Sequence, residues 1–167
     1  PVDRTVYVNW NALACGSLFR AADVLQEPYL AEEAQRTLAF LLDECTISRG
    51  PAYHYYADGP RLSGLLEDQM ALAAALMDAF QYTGEEDFLH RAEGLIDWAC
   101  RKLWDDEAGC FCDTQEGPLE PVWPFMENSG AALALLKLHA LTGKEAYQEY
   151  AGLILGNLLA RWKEYGY

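Results

Sequence analysis

Leu65-Leu66-Glu67-Asp68-Gln69-Met70-Ala71-Leu72-Ala73-Ala74-Ala75-Leu76-Met77-Asp78-Ala79-Phe80-Gln81-Tyr82-Thr83-Gly84-Glu85-Glu86-Asp87-Phe88-Leu89 is the stretch that decides the fold. Past Asp68 its first part is Ala, Leu and Met with almost no charge. That pattern predicts a helix over residues 65–82 that is buried on most of its faces. Gly84 suits the left-handed position that ends a helix. Glu85 and Glu86 then favour the N-terminus of a second helix over 86–103, because acids complement the helix dipole there. In that second helix Leu89, Ala92, Ile96 and Ala99 fall on one stripe, so it is amphipathic. The unit is a helical hairpin with a buried inner helix and a half-exposed outer one.

The unit recurs with a period of 59 residues. Tyr29, Phe88 and Tyr147 keep that spacing, as do Ala12, Ala71 and Gly130, and Ala14, Ala73 and Ala132. Thr83-Gly84 repeats as Thr142-Gly143, and Gly50 as Gly109. One period shared by many residue types signals stacked units, none of which buries its own face alone. The register predicts inner helices at 10–25, 65–82 and 129–141 and outer helices at 28–45, 86–103 and 144–162. Pro28 fits the first turn of an outer helix. The long connections, 46–64 and 104–128, carry hairpin-like pieces around Tyr53–Pro60 and Gly109–Asp113. The expected fold class is all-α: a tandem of three helical hairpins with short β-hairpin-like loops, half of an (α/α)6 toroid or barrel. Residues 1–167 read as a single partial domain of a longer chain.

Acidic residues outnumber basic ones 26 to 12, giving a net charge of −14. That field repels nucleic acid and anionic membranes. No apolar run is long enough to span a bilayer, and no signal-peptide layout opens the chain. Five cysteines, an odd number, lie mostly within apolar helical patterns. They read as buried free thiols of a reducing compartment, so the expected location is cytoplasmic. Cys110-Phe111-Cys112 lacks a second ligand pair at zinc spacing, and no metal site is expected. No phosphate-binding or dinucleotide-binding glycine motif occurs, so no cofactor is expected.

Chemistry is expected where the inner helices begin, on the side of the long loops. The register makes Asn9, Asp68 and Glu127 equivalent, flanked by Trp10, Asn11, Glu67, Gln69, Asn128 and Ser129. Parallel inner helices gather these into one mouth, walled by loop aromatics such as Tyr53, Tyr55, Tyr56, Trp104, Phe111, Trp123 and Phe125. Carboxylates, amides and flat rings together suit a sugar, with rings stacking on C–H faces and polar groups fixing hydroxyls. Asp68 and Glu127 are the candidate acid/base pair, and His54 is the one histidine placed to act as a base. Asn9, Trp10, Asn11, Glu67, Gln69, Asn128, Tyr55 and Trp123 are the candidate substrate-binding residues. Asn9, Asn128 and Ser129 also read as helix N-caps, and Ser63 as the cap of the second inner helix.

Four segments carry a resemblance. Trp10-Asn11-Ala12-Leu13 resembles a Trp-Asn-Gly-Leu motif, Leu65-Leu66-Glu67-Asp68-Gln69 a Phe-Leu-Glu-Asp-Tyr motif, and Glu127-Asn128-Ser129-Gly130-Ala131-Ala132 a Ser-Gly-Asn-Ser motif. The loop from Leu103 to Phe111 is similar to Phe-Trp-Asp-x-x-x-Gly-Gly-Phe. Together they resemble the thioredoxin-domain-containing proteins related to spermatogenesis-associated protein 20. Ala12 replaces the motif's glycine and Gln69 its aromatic. The resemblance implies an (α/α)6 barrel of the six-hairpin glycosidase and N-acylglucosamine 2-epimerase type, with a thioredoxin-like domain elsewhere in the chain. It implies a pocket with carbohydrate-active relatives, not a reaction. The alternative is a non-catalytic scaffold that binds a partner. A half barrel leaves apolar sides open, so a homodimer is also expected.

Overall fold

The computed structural model describes residues 2–47, 50–114 and 122–165. Its helices are α1 (Val8–Leu25), α2 (Pro28–Glu44), α3 (Leu66–Thr83), α4 (Glu86–Lys102), α5 (Phe125–Thr142) and α6 (Glu145–Tyr165). α1, α3 and α5 form the inner layer; α2, α4 and α6 pack outside their respective partners. α3 lies between α1 and α5, which is why its Leu72, Ala73, Leu76, Met77 and Ala79 are all sealed. The outer helices bury one stripe each, as Ala92, Leu95, Ile96 and Ala99 do in α4. This is the three-hairpin partial (α/α) barrel that the period implied.

Close approach of the inner helices is written into small residues. A Cβ on Gly16 of α1 would lie 2.7 Å from Asp78 Oδ2 on α3. Asp78 in turn pairs with Lys137 of α5 at 2.6 Å, again across 59 residues. Gly84 and Gly143 end α3 and α5 at φ 76° and 72°, in the left-handed region. The first repeat uses Gln26 there, at φ 56°. A side chain in that region is strained, so Gln26→Gly should raise stability by up to about 1 kcal/mol. Urea unfolding followed by circular dichroism measures it.

The N-termini differ from the capping expectation. α1, α3 and α5 are preceded by Tyr7, Leu65 and Pro124, none of which makes a side-chain cap bond. α5 begins four residues before Ser129, so Asn128 and Ser129 sit inside the helix. The Ser129 hydroxyl donates to Phe125 O at 2.9 Å. Ser63 lies in a strand, not at a cap. The first-turn donors find partners elsewhere: Leu66 N–H donates to Asp113 O at 2.9 Å, and Asn9 N–H to the Asp68 carboxylate at 3.2 Å.

The connecting loops fold into small antiparallel sheets. β1 (Val6–Tyr7), β2 (Tyr53–Tyr56) and β3 (Pro60–Ser63) form one, with Tyr7 paired to Tyr55 and Tyr55 to Arg61. β4 (Trp104–Asp105) and β5 (Cys110–Phe111) form the other. Each sheet is tied to an inner helix by a buried amide. Gln69 accepts from Ala52 N–H at 2.8 Å and donates to Ala52 O at 3.1 Å. Asn128 does the same to Phe111, at 2.8 Å both ways. Each amide acts 17 residues back along the chain, and the two amides are one period apart.

All five cysteines are free; four are buried and Cys100 is half-buried. Burial raises their thiols, to about 11 for Cys15 and Cys45 and about 12 for Cys100, which keeps them protonated and unreactive. Among the described residues, no helix is long and apolar enough to cross a membrane.

Candidate functional site

A groove of about 340 Å³ runs along the inner face of α1, α3 and α5. One end holds Asn9, Glu67 and Glu127, from the first turns of the three inner helices. The floor is Ala12, Met70, Ala71, Ala74, Gly130 and Ala134, and the far end holds Arg20, Asp78 and Lys137. At the helical rise per residue, Asn9 to Arg20 spans about 16 Å.

The polar cluster at the mouth is built around Asp68. Its carboxylate is wholly buried. Oδ1 accepts the Asn9 backbone N–H at 3.2 Å, and Oδ2 lies 3.0 Å from His54 Nδ1. The neighbouring Glu67 is held through Oε2, which accepts from Asn9 Nδ2 at 2.9 Å; its Oε1 lies 3.7 Å from His54 Nδ1. His54 Nε2 has no protein partner among the described residues. The exposures rank the three groups: side chains of Glu67 and His54 are 39% and 20% accessible, Asp68 not at all. Glu67 and His54 are therefore open to solvent, while Asp68 is sealed behind His54.

Burial pushes the Asp68 carboxyl up to about 7, against the lowering pull of His54 and of the Asn9 N–H. The folded state thus disfavours the charged form relative to an ordinary carboxyl of 3.8. Stability from this group is full below about 4 and is lost as pH rises through about 7. Asp68→Asn removes the titration, so the variant should gain stability relative to the parent as pH increases across that window. Urea midpoints at several pH values test it; parallel curves for the two proteins would exclude the effect.

Rings surround the cluster. Tyr7 packs on Trp10 at 4.6 Å between centroids, meets His54 edge-on at 5.5 Å and lies 5.9 Å from Tyr55. Tyr55 also meets His54 edge-on. Tyr7 escaped the sequence reading, and its only signal was its place just before Asn9 and Trp10.

The other sequence candidates fall into two groups. Asn9, Glu67 and Glu127 line the groove; His54 and Asp68 adjoin it through Asn9 and Glu67, and Trp10 and Tyr55 pack on Tyr7 beside them. No hydrogen bond or ion pair joins Asp68 to Glu127 among the described residues; the partner of Asp68 is His54. Gln69 and Asn128 are sealed and committed to backbone, so they position loops and do not face the groove. The Asn11 amide donates to Tyr7 O at 2.7 Å. Trp123 donates to Asp105 Oδ2 at 3.0 Å. Of the other loop aromatics, Phe111 is buried and Trp104 stacks edge-on with it and with Tyr150.

His54, Glu67 and Asp68 offer ligand atoms within 4.8 Å of one another and could hold a divalent cation. The direct contact of His54 with Asp68 satisfies both groups without one.

No family model and no curated protein sequence matches the chain. Solved structures do match. A family 76 α-mannanase from Bacteroides thetaiotaomicron superimposes with a TM-score of 0.84 at 18% identity, over 96% of this chain and 46% of that one. An α-1,6-mannanase of Salegentibacter, in complex with α-1,6-mannotriose and inactive through asparagine replacement of two consecutive aspartates, gives 0.78 at 17% identity, over 92% and 47%. A D-mannose isomerase gives 0.79 at 16% identity, over 92% and 41%. The chain thus shares the (α/α)-barrel fold of these structures and spans about half of their length. The thioredoxin-domain resemblance rests on its motifs alone.

Proposed function

We propose that this chain forms part of a sugar-processing barrel in which His54, oriented by Asp68, moves a proton on a reducing sugar. The observation that carries this reading is the 3.0 Å contact from His54 Nδ1 to a fully buried carboxylate, with Nε2 left free. Above about pH 7, where Asp68 is ionised, the buried carboxylate fixes the imidazole tautomer: Nδ1 donates to Asp68, and the Nε2 lone pair is available as a base. In an open-chain aldose, Nε2 would take the proton from the carbon next to the carbonyl. Returning that proton to the same carbon after the planar enediolate has turned its other face to Nε2 gives the epimer; delivery to the former carbonyl carbon gives the ketose. No oxidant is needed. Glu67, whose Oε1 carries no strong hydrogen bond, would pass the proton on the sugar oxygen. Tyr7, Tyr55 and Trp10 would stack against the ring or chain. The isomerase among the structural relatives supports this class of chemistry.

A second reading has one specific support. Glu67-Asp68 is a pair of consecutive carboxylates, and an α-1,6-mannanase of the same fold is inactive without such a pair. In a hydrolase, Glu67 would protonate the leaving oxygen. The burial of Asp68 beneath His54 argues against its attacking a sugar carbon directly, and so favours the first reading.

Incubation with D-mannose in deuterated buffer separates the two. Deuterium appearing at C2, followed by proton NMR, is the expected result. Reducing ends released from α-1,6-mannan without C2 exchange would replace it by the hydrolase reading.

A further inference from the structure

Three donor atoms converge beside the groove. His54 Nδ1 lies 3.0 Å from Asp68 Oδ2 and 3.7 Å from Glu67 Oε1, and one ligand atom from each residue falls within 4.8 Å of the others. Asn9 arranges the two carboxylates from behind. Its backbone N–H holds Asp68 Oδ1 at 3.2 Å, and its side-chain Nδ2 holds Glu67 Oε2 at 2.9 Å. The other oxygen of each carboxylate is thereby turned to the same imidazole nitrogen. Outer hydrogen bonds of this kind are what orient the ligands of a metal ion. All three donors lie on β2 and on the first turn of α3, the middle inner helix, so the cluster owes nothing to where the chain begins or ends.

The spacing and the donor types suit zinc. Bonds of about 2.0–2.1 Å to nitrogen and oxygen put tetrahedral neighbours about 3.3 Å apart, between the two distances from Nδ1. Glu67, the most accessible of the three, has the freedom to close the remaining edge. One imidazole with two carboxylates fits a transition dication better than magnesium or calcium, which take oxygen ligands throughout. We infer, on the proposed role of His54, that a zinc-type dication binds Nδ1 of His54, Oδ2 of Asp68 and Oε1 of Glu67 and so switches the site off. Nδ1 can give its lone pair to the metal only without its proton, and the neutral ring then carries that proton on Nε2. The ring neither gains nor loses a proton; the lone pair that would accept the sugar proton is gone. Glu67 is occupied at the same time. The ion competes with the ring proton for Nδ1, and acts as an inhibitor.

Calorimetric titration with zinc chloride alone tests the site, and one zinc per chain is expected. His54→Ala and Glu67→Gln should each weaken binding by at least about tenfold, the least that disturbing a ligand set costs, with unchanged helicity. His90→Ala, on α4, should leave it unchanged. Cobalt in place of zinc should give a spectrum without a thiolate band, because the cysteines take no part. Nitrogen-15 NMR of the zinc form reads the switch itself: Nδ1 of His54 bound to metal and Nε2 protonated. Zinc should also stop C2 deuterium exchange over the concentration range in which it binds, and a chelator should restore it. No zinc binding, binding indifferent to His54→Ala, or an unprotonated Nε2 in the zinc form would overturn the inference. So would exchange that zinc leaves intact or requires. The tautomer change in a chain that shows no exchange even without zinc would uphold the metal site and remove the proton-transfer reading.

Discussion

His54→Ala should lower C2 deuterium exchange into D-mannose by roughly 10²–10⁴-fold, the usual worth of a positioned acid or base, while leaving the helical spectrum intact. His54 lies in β2 and contributes little to the core, so the loss would be chemical. Asp68→Asn should also be severe, for a reason that can be stated at the atom. Asparagine can still accept the Asn9 N–H through its carbonyl. Its amide would then donate to His54 Nδ1, forcing the ring proton onto Nε2 and removing the lone pair that takes the substrate proton. The exchange rate measured by NMR, with sugar affinity measured separately, distinguishes this from lost binding. An Asp68→Asn variant as active as the parent would show that the contact orients nothing.

Gln69→Leu should cost both stability and exchange activity. The shapes are similar, but leucine leaves the buried Ala52 N–H without a partner, while Ala52 O keeps only the Gly64 N–H at 3.1 Å. A stranded buried donor costs about 1–3 kcal/mol, and a loss of about that size is expected by chemical denaturation. Ala52 is two residues from His54. Freeing it should loosen β2 against α3 and separate His54 from Asp68, so exchange should fall with stability. Asn128→Leu is the internal control. It frees Phe111 in the other sheet and should cost comparable stability while sparing the exchange rate of the protein that remains folded. Equal losses of activity in both would mean that the loops do not position the site separately.

The period of 59 residues was legible because it is carried by aromatics, small residues and helix-ending glycines alike, and each answers to the same packing in every copy. The helix starts were less legible. Tyr7, Leu65 and Pro124 carry no capping side chain, and the donors they leave open are met by Asp113 O and by Asp68, partners far along the chain. Asn9, Glu67, His54 and Asp68 read as candidates from the sequence, but the contacts that join them were not legible there. His54 and Asp68 are brought together by the β2–β3 turn, and the distance that turn imposes has no sequence signature. Gln69 and Asn128 read as ligand groups because amides beside carboxylates suit a sugar. Their own 59-residue spacing pointed instead to a structural role repeated in each unit, with the backbone 17 residues upstream as its object.

In the proposed site, Asp68 holds His54 with Nε2 open to a sugar near the first turns of the inner helices. Side-chain nitrogen-15 NMR reads this directly, because the chain has only three histidines. The expected spectrum holds one ring whose Nδ1 carries a strongly hydrogen-bonded proton, whose Nε2 resonance shifts on adding D-mannose, and whose signature disappears in Asp68→Asn. A His54 ring that averages between tautomers and ignores both the sugar and the substitution would contradict it.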